Sequence, residues 1–527
     1  MAEGSISSLR KVRPGWVRWL VPSVTDCLFV AVLTMLLFTP LSVRLLGDAG
    51  IGWHIRTGQL ILATHAIPRM DPFSSTMAGK PWFAWEWLYD VAAGKLESAL
   101  GLNGVVWFTA LVIAAVFAGT FRWLTRRGAN FAVALVLVLL ALAASTIHFL
   151  ARPHVLSWLF TLIWFAVLDC SEREGLGAQR KLWSLPLLML LWVNVHGGFL
   201  AGFVLLGIFW VAAAWKWFST TDTRIGDSLE KIGARQQTLH LTLAGVGTVA
   251  ASLINPYGWN LYAHVYSYLS DRFLMDHIDE FQSPNFHGVA QRCFAVLFLI
   301  AVATIAVRGR ELRLSGLLTV LFAMYAGLYA SRSIPLSSIL LVMVVGPLMG
   351  RKESRFAQFT AGKRTESFLE RMTEIELQLR AHAWPLAAIA ITLLIAANGG
   401  RVGSEAVMNA HFSPQRMPVA AVNFVVEKAL HGPVLSPDYW GGYLIYRLYP
   451  KQQVVVDDRH DLYGSKFFKS YLKMIRVEPG WDEFLGEHPA GCVVLPREAA
   501  LTTVLLGDRD WKAIYTDGVA VVFVPVK

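Results

Sequence analysis

The sequence predicts a mainly α-helical membrane protein, a polytopic transmembrane bundle of about eleven spans followed by a small C-terminal α/β domain. Hydrophobic residues make up 55% of the 527 residues and charged residues only 16%, whereas about a quarter of a soluble globular chain is charged. The apolar residues form long blocks, such as Leu28–Leu46, Ala132–Ile147 and Ala295–Val307. The C-terminal tail instead alternates short apolar runs with helical patterns.

The apolar blocks are taken in order along the chain. A span needs roughly 20 apolar residues. We place spans at about 25–46, 104–124, 130–149, 154–170, 183–195, 199–217, 238–254, 291–307, 314–331, 334–350 and 384–398. This arrangement gives a transmembrane domain over residues 1–400 and a separate domain over residues 401–527.

The basic residues predict the orientation. They concentrate in short segments between spans, at Arg122–Arg127, Glu172–Lys181, Lys216–Arg235, Arg308–Arg313 and Arg351–Arg380. Such segments lie on the cytoplasmic side, so we expect a cytoplasmic N-terminus and a periplasmic C-terminal domain. The net charge of +10 therefore indicates topology and gives no reason to expect nucleic-acid binding. The four cysteines show no spacing typical of a zinc site or a disulfide framework.

The tail predicts an α/β domain. Strand-like runs lie at Pro433–Ser436, Gln453–Val456, Cys492–Leu495 and Val519–Val524. Helical patterns lie between them, at Tyr443–Tyr449, Lys466–Ile475 and Glu498–Leu506.

The first outer segment, residues 47–103, holds the acids that are candidates for catalysis. Asp48, Asp71 and Glu86 lie there together with His54. Carboxylates at a membrane surface can bind Mg²⁺ or Mn²⁺ through oxygen, or one of them can deprotonate an acceptor hydroxyl. The alternative is that Asp71 caps a turn and Glu86 is merely solvated. An acid as close to the bilayer as Asp48 is costly and usually functional.

Further polar residues end spans on the same side. Arg152 and Arg332 are candidates to bind a lipid phosphate, because a guanidinium can bond two oxygens at once. The alternative for each arginine is snorkelling at the interface. Imidazole and amide side chains end spans there too, and for the histidines packing is an equally good explanation: His148, His154, Asn194 and His196.

Two polar segments of the tail stand out, Asp438–Leu444 and Val456–Gly464. The second, which holds Asp457, Asp458 and Arg459, directly follows a predicted strand. Acids at the end of a strand often contact a ligand. The alternative is turn and capping chemistry.

Several motifs resemble the GT-C superfamily of polytopic glycosyltransferases, and more closely a bacterial group of uncharacterised membrane proteins with that layout. The motifs cover nearly the whole chain. They are Asp48 with Gly52–Gly58, Ile67–Ser74, Trp85–Leu88, Ala151–His154, Trp192–Phe199, Gly441–Leu444 and Asp457–Arg459.

The resemblance implies a glycosyltransferase that moves a hexosyl or pentosyl group, with inversion, from a polyprenyl-phosphate donor. It implies a catalytic acid in the first outer segment, where Asp48 matches, and a basic residue that holds the donor's phosphate, where Arg332 is the best match. We therefore expect Asp48 to be the catalytic base, Arg332 and Arg152 to hold the leaving phosphate, and His54 and Glu86 to orient the substrates. No second acid adjoins Asp48, so the need for a divalent metal, with Asp48, Asp71 and Glu86 as its ligands, stays open.

The resemblance also implies a bacterial inner-membrane protein of the cell envelope, in contact with membrane lipids. The acceptor would be a glycan, a lipid or a protein. Three alternatives remain: a polymerase or ligase of surface polysaccharide, which uses pyrophosphate-linked glycans, a transporter or flippase, and a non-catalytic assembly or sensor protein. A transporter carries ionisable residues at the bilayer midplane, whereas most polar residues here lie at span ends.

Overall fold

Long apolar helices dominate the computed structural model, which describes residues 20–221, 225–350, 363–379 and 382–526. Within those residues, six helices are long and apolar enough to cross a membrane: Trp87–Arg126, Phe131–His148, His154–Glu174, Gly197–Ser219, Val289–Glu311 and Ser331–Met349. The bent pair Phe368–Gln378 and Ala383–Ala397 would make a seventh, and Val24–Phe38 and Leu314–Tyr329 are shorter apolar helices. The chain is therefore a membrane protein.

The predicted count of about eleven spans is not confirmed. The segment predicted at 183–195, for example, forms the helix Ser184–Trp192 of only nine residues. Such a helix is about 14 Å long, far less than the hydrocarbon core of a bilayer. Residues 351–362, which begin the basic segment predicted at Arg351–Arg380, lie outside the described residues.

The remaining helices lie between the spans and in the tail. They are Leu41–Arg44, Ile51–Thr64, Leu176–Gln179, Ile225–Ser252, Asn260–Ser270, Arg272–His277, Lys363–Gln378, Val419–Glu427, Asp438–Leu448, His460–Ile475, Asp482–Glu487 and Ala500–Gly507.

The helix Trp87–Arg126 is two helical segments joined at Gly101, whose φ of 63° is left-handed. Only glycine adopts that conformation at no steric cost. Its first part belongs to the first outer segment. Its second part packs into the membrane bundle, where Phe117 and Phe121 are fully buried.

The tail forms a mixed sheet. A short antiparallel pair, β1 (Arg401–Val402) and β2 (Glu405–Ala406), precedes it. The four strands of the sheet are β3 (Val434–Leu435), β4 (Cys492–Pro496), β5 (Trp511–Thr516) and β6 (Ala520–Pro525), in the order β3-β4-β6-β5. Only β3 and β4 are parallel. Three predicted strands and the three predicted helices of the tail are thus present.

The fourth predicted strand, Gln453–Val456, joins the tail to the first outer segment. Val454 forms parallel bridges to Val434 on one side and to Ser74 on the other. The backbone N–H of Ser75 also donates to the Val454 carbonyl at 2.9 Å. The first outer segment therefore extends the edge of the C-terminal sheet.

A contact between glycines completes this junction. A Cβ on Gly52 would lie 2.1 Å from the Gly442 carbonyl oxygen, and one on Gly442 would lie 2.3 Å from the Ala49 carbonyl oxygen. The helices Ile51–Thr64 and Asp438–Leu448 thus meet backbone to backbone, which requires glycine at both positions. Arg56 adds a hydrogen bond from Nε to the Tyr446 carbonyl at 2.8 Å.

Candidate active site

A single large cavity lies where the membrane helices, the first outer segment and the C-terminal domain meet. Its volume is about 870 Å³, within the range typical of ligand sites. Ten of the predicted site residues line it: Asp48, His54, Glu86, His148, Arg152, His154, His196, Arg332, Asp458 and Arg459. The polar residues that end separate spans therefore meet in space.

Arg152 lies among three carboxylates. Its Nη2 is 3.0 Å from Asp48 Oδ1 and donates a very short hydrogen bond to Asp458 Oδ2, while its Nη1 lies 3.6 Å from Glu280 Oε1. Burial alone would lower the pKa of Arg152, but Asp48, Asp458 and Glu280 raise it above its ordinary value. The guanidinium therefore stays charged.

Both aspartates at Arg152 are held by neighbours. The backbone N–H of Gly50 donates to Asp48 Oδ1 at 2.7 Å, and Trp53 Nε1 donates to Asp458 Oδ1 at 3.0 Å. Asp48 Oδ2 accepts no hydrogen bond from any residue that the structure describes. This oxygen is therefore available to take a proton from a substrate.

Arg332 lies on the 3₁₀ turn Ser331–Ser333, between two membrane helices, and its Cζ is 4.6 Å from the centre of the Phe281 ring. Burial would raise the pKa of Glu280, but Arg332 and Arg152 lower it to about 2. In the described part of the chain, no carboxylate lies within 4.0 Å of the Arg332 guanidinium. Arg332 is thus free to bind an anion.

Glu86 lies between two imidazoles. Its Oε2 is 3.8 Å from His54 Nε2 and its Oε1 is 3.8 Å from His196 Nε2. Burial is the largest cause that raises its pKa, to about 8, so Glu86 carries a proton at neutral pH. Burial also lowers the pKa of both histidines well below the ordinary value.

Hydrogen bonds hold both imidazole rings in place. His54 Nδ1 lies 2.6 Å from Asp90 Oδ1, which fixes the ring with Nε2 towards Glu86. His196 Nδ1 accepts from the backbone N–H of Gly198 at 2.9 Å, so its proton is on Nε2. Glu86 therefore faces the His54 ring on one side and the N–H of His196 on the other.

His148 and His154 form a second imidazole pair on the membrane side of the cavity. His154 Nε2 is 2.8 Å from the His148 carbonyl oxygen, which makes this nitrogen the donor. His148 Nε2 is buried and has no hydrogen-bond partner among the described residues.

Arg459 lines part of the cavity, but its N–H groups donate to buried acids. Its Nε and Nη2 donate to Asp457 at 2.8 and 2.7 Å, and its Nη1 donates to Asp71 at 2.8 Å. The guanidinium also lies over the rings of Phe73 and Trp82. All the ionised groups of this cluster are at most 1% exposed.

Three predicted site residues lie outside the cavity lining. Asp71 and Asp457 are buried partners of Arg459. Asn194 accepts from Trp87 Nε1 at 2.8 Å and donates to the carbonyls of Leu190 and Ile254. The contacts of all three indicate a structural role.

Sequence reasoning missed several cavity residues, Glu280 among them. Glu280 lies in the aromatic segment of residues 255–291, where no motif marks this acid. Asp438, His460 and Asp461 belong to the two tail segments that stand out in the sequence, and all three line the cavity. His460 Nε2 is 2.8 Å from Asp438, and Asp461 is 2.9 Å from Nε2 of His264, which lies on another outer segment.

A divalent metal does not fit the acids proposed for it. Asp71 is held by Arg459, Glu86 lies between histidines, and Asp48 contacts a guanidinium. Across the described residues, no group of three or more His, Cys, Asp or Glu side chains could hold a metal ion.

The fold and the cavity define a polytopic membrane protein with a polar site between its helical bundle and a C-terminal domain. No protein-family model matches the chain. No curated protein matches it in sequence.

Solved structures do match. One is the archaeal oligosaccharyltransferase AglB from Archaeoglobus fulgidus, in complex with an inhibitory peptide and a dolichol-phosphate. The TM-score is 0.54 at 12% identity, over 90% of this chain and 69% of that one. A structure of the oligosaccharyltransferase of the same organism in the apo form has a TM-score of 0.53 at 13% identity, over the same shares. At such low identity the likeness shows the fold alone.

Proposed function

We propose that the protein is a membrane glycosyltransferase that moves a sugar or an oligosaccharide from a polyprenyl-phosphate donor to an acceptor on the periplasmic face. One observation carries the proposal. A single cavity joins Asp48 to Arg152 and Arg332 in a chain with the fold of an oligosaccharyltransferase.

The donor's phosphate would bind at Arg332 and Arg152. Arg332 has no carboxylate partner in the described residues, and Arg152 Nε and His148 Nε2 are buried without hydrogen-bond partners there. The guanidinium groups of Arg332 and Arg152, which both line the cavity, suit a phosphate, which offers several acceptor oxygens. The dolichol-phosphate bound to the structural neighbour supports this donor class.

The transfer would proceed by direct displacement. The acceptor oxygen attacks the anomeric carbon while Asp48 Oδ2 takes the acceptor's proton. The bond from the anomeric carbon to the phosphate oxygen breaks, and its electron pair leaves with the phosphate. Arg332 and Arg152 stabilise the charge that develops there. One displacement inverts the anomeric centre, for a hexosyl or a pentosyl group alike.

His54 and Glu86 would orient the reacting groups. Glu86 is protonated at neutral pH because its pKa is about 8. A neutral carboxyl group can donate one hydrogen bond and accept another, as a sugar hydroxyl requires. Asp90 fixes the His54 ring.

The acceptor would enter from the side of the C-terminal domain, past Asp438, Tyr439 and His460. An acceptor glycan, lipid or protein is compatible with this opening, and the neighbour's inhibitory peptide supports a peptide. With the basic segments in the cytoplasm, the cavity opens to the periplasm of a bacterial inner membrane.

The test is sugar transfer by the purified protein, supplied with polyprenyl-phosphate sugars and a panel of acceptors. Asp48→Asn should abolish transfer, because the amide cannot take the proton. Asp276→Asn is the matched control, since Asp276 is exposed in a neighbouring outer segment, and it should act like wild type. Both variants must elute as monodisperse protein. Full activity of Asp48→Asn would refute the assignment.

A further inference from the structure

We propose that the Arg152 guanidinium is the fixed cation of the candidate active site, held between Asp48 and Asp458 in the position that a divalent metal ion would occupy. The idea rests on the proposed function for its chemical meaning. Its support is geometric, and its test needs no enzyme activity.

The first support is the convergence of two carboxylates on one nitrogen. Asp48 Oδ1 and Asp458 Oδ2 both contact Nη2 of Arg152, and Glu280 approaches Nη1 at 3.6 Å. Oxygen ligands arranged around one centre are what a hard divalent cation selects. Here the centre of the three acids is a guanidinium.

The second support is a glycine that makes room for this guanidinium. A Cβ on Gly50 would lie 1.9 Å from Arg152 Nη2 and 2.5 Å from Asp458 Oδ2. Any larger residue would displace the ion pair. The backbone N–H of Gly50 and the indole N–H of Trp53 also fix the two aspartates in place. The chain is therefore built around the guanidinium and not around an open pair of acids.

The third support is the space and charge between the acids. A Mg²⁺ or Mn²⁺ ion needs its oxygen ligands at about 2.0–2.2 Å. The nitrogen of Arg152 lies within 3.0 Å of these oxygens and repels a second cation. Its charge does not depend on pH in the working range.

The proposal has a consequence for the reaction. Arg152 Nε has no hydrogen-bond partner in the described residues, and Nη1 is beyond hydrogen-bond length from Glu280. The N–H groups of Nη1 can donate to a phosphate oxygen while Nη2 stays with the aspartates. Arg152 would thus join the base Asp48 to the leaving phosphate, which a metal ion bound by carboxylates would otherwise do.

The experiment measures Mn²⁺ binding, by loss of the free Mn²⁺ EPR signal, to the full-length chain in detergent. Wild type should show no site that depends on Asp48 and Asp458. Arg152→Ala frees the acids and should gain about one Mn²⁺ per molecule, with a dissociation constant on the order of 10⁻⁴ M. That site should disappear in Arg152→Ala combined with Asp458→Asn. Arg152→Gln, which keeps a long polar side chain, serves as a second variant if the alanine variant does not fold.

The matched control is Arg332→Ala, which removes the same charge from the same cavity without freeing Asp48 and Asp458, and it should gain no site. The proposal is overturned if wild type binds Mn²⁺ through Asp48 and Asp458. It is equally overturned if folded Arg152 variants bind none. Either result is independent of sugar transfer, so failure of the proposed function would be seen separately, in the transfer assay.

Discussion

Two arginines in this protein pair with the same kinds of residue but differ in how deeply they are buried. Arg459 binds Asp71 of the first outer segment and Asp457 of the tail, whereas Arg152 contacts Asp48 of that segment and Asp458 of the tail. The Arg459 side chain is 1% exposed and that of Arg152 is 19% exposed. Arg459 uses its donors within the cluster, whereas Arg152 keeps a buried Nε without a described partner.

The difference teaches how one short segment can serve two purposes. Asp457 is fully buried in the cluster of Arg459, whereas its neighbour Asp458 lines the cavity. A saturated ion cluster fixes the C-terminal domain on the first outer segment. The cluster of Arg152 beside it keeps an N–H group that has no partner among the described residues.

The largest expected effect is on folding. Arg459→Ala leaves two buried carboxylates without a counter-charge and should lower the free energy of unfolding by about 3–5 kcal/mol. Thermal unfolding in detergent measures this. Arg447→Ala is the control, because Arg447 lies in the same domain and bonds only Tyr443 and Asn423. An equal loss of stability in the two variants would contradict the structural role of Arg459.

Arg152→Ala should show the opposite pattern. Because its cluster is partly solvated, we expect a smaller loss of stability than in Arg459→Ala. Sugar transfer should fall by roughly 10²–10³-fold, as when one preorganised donor to a developing charge is removed. Steady-state transfer rates and melting temperatures of both variants test the contrast. A loss of stability as large as that of Arg459→Ala would contradict the proposed difference between the two ion clusters.

Gly442→Ala should disturb the backbone contact between the helices Ile51–Thr64 and Asp438–Leu448. The new Cβ would lie 2.3 Å from the Ala49 carbonyl oxygen, and overpacking of this kind costs about 1–3 kcal/mol. Gly486→Ala is the control, because a Cβ there meets nothing within 4 Å. If the two substitutions have the same effect on melting temperature, the helices do not depend on this contact.

Glu86 gives the stability of the protein a dependence on pH. Glu86 titrates near 4.5 when solvated and at about 8 in the folded chain. The folded state binds the proton more tightly, so this group lowers the free energy of unfolding as pH rises from about 4.5 to 8. Glu86→Gln should flatten that part of the profile of melting temperature against pH. An unchanged slope would show that Glu86 is not protonated in the folded protein.

The sequence predicted three strands and three helices of the tail and ten residues of the cavity lining, because hydrophobic periodicity and polar span ends are local signals. It did not predict the contact between the two glycines, Gly52 and Gly442. Gly52 and Gly442 belong to separate motifs, and only the fold brings their backbones together. The number of spans was not predictable either, since apolar composition does not fix where a helix such as Ser184–Trp192 ends.

The most direct measurement is a cryo-EM structure of the wild-type chain with a non-cleavable polyprenyl-phosphonate sugar. The account predicts the phosphonate within hydrogen-bond distance of Arg332 and Arg152, with the sugar's anomeric carbon facing Asp48 Oδ2. A phosphonate bound away from both arginines, or a cavity that holds no donor at saturating concentration, would contradict it.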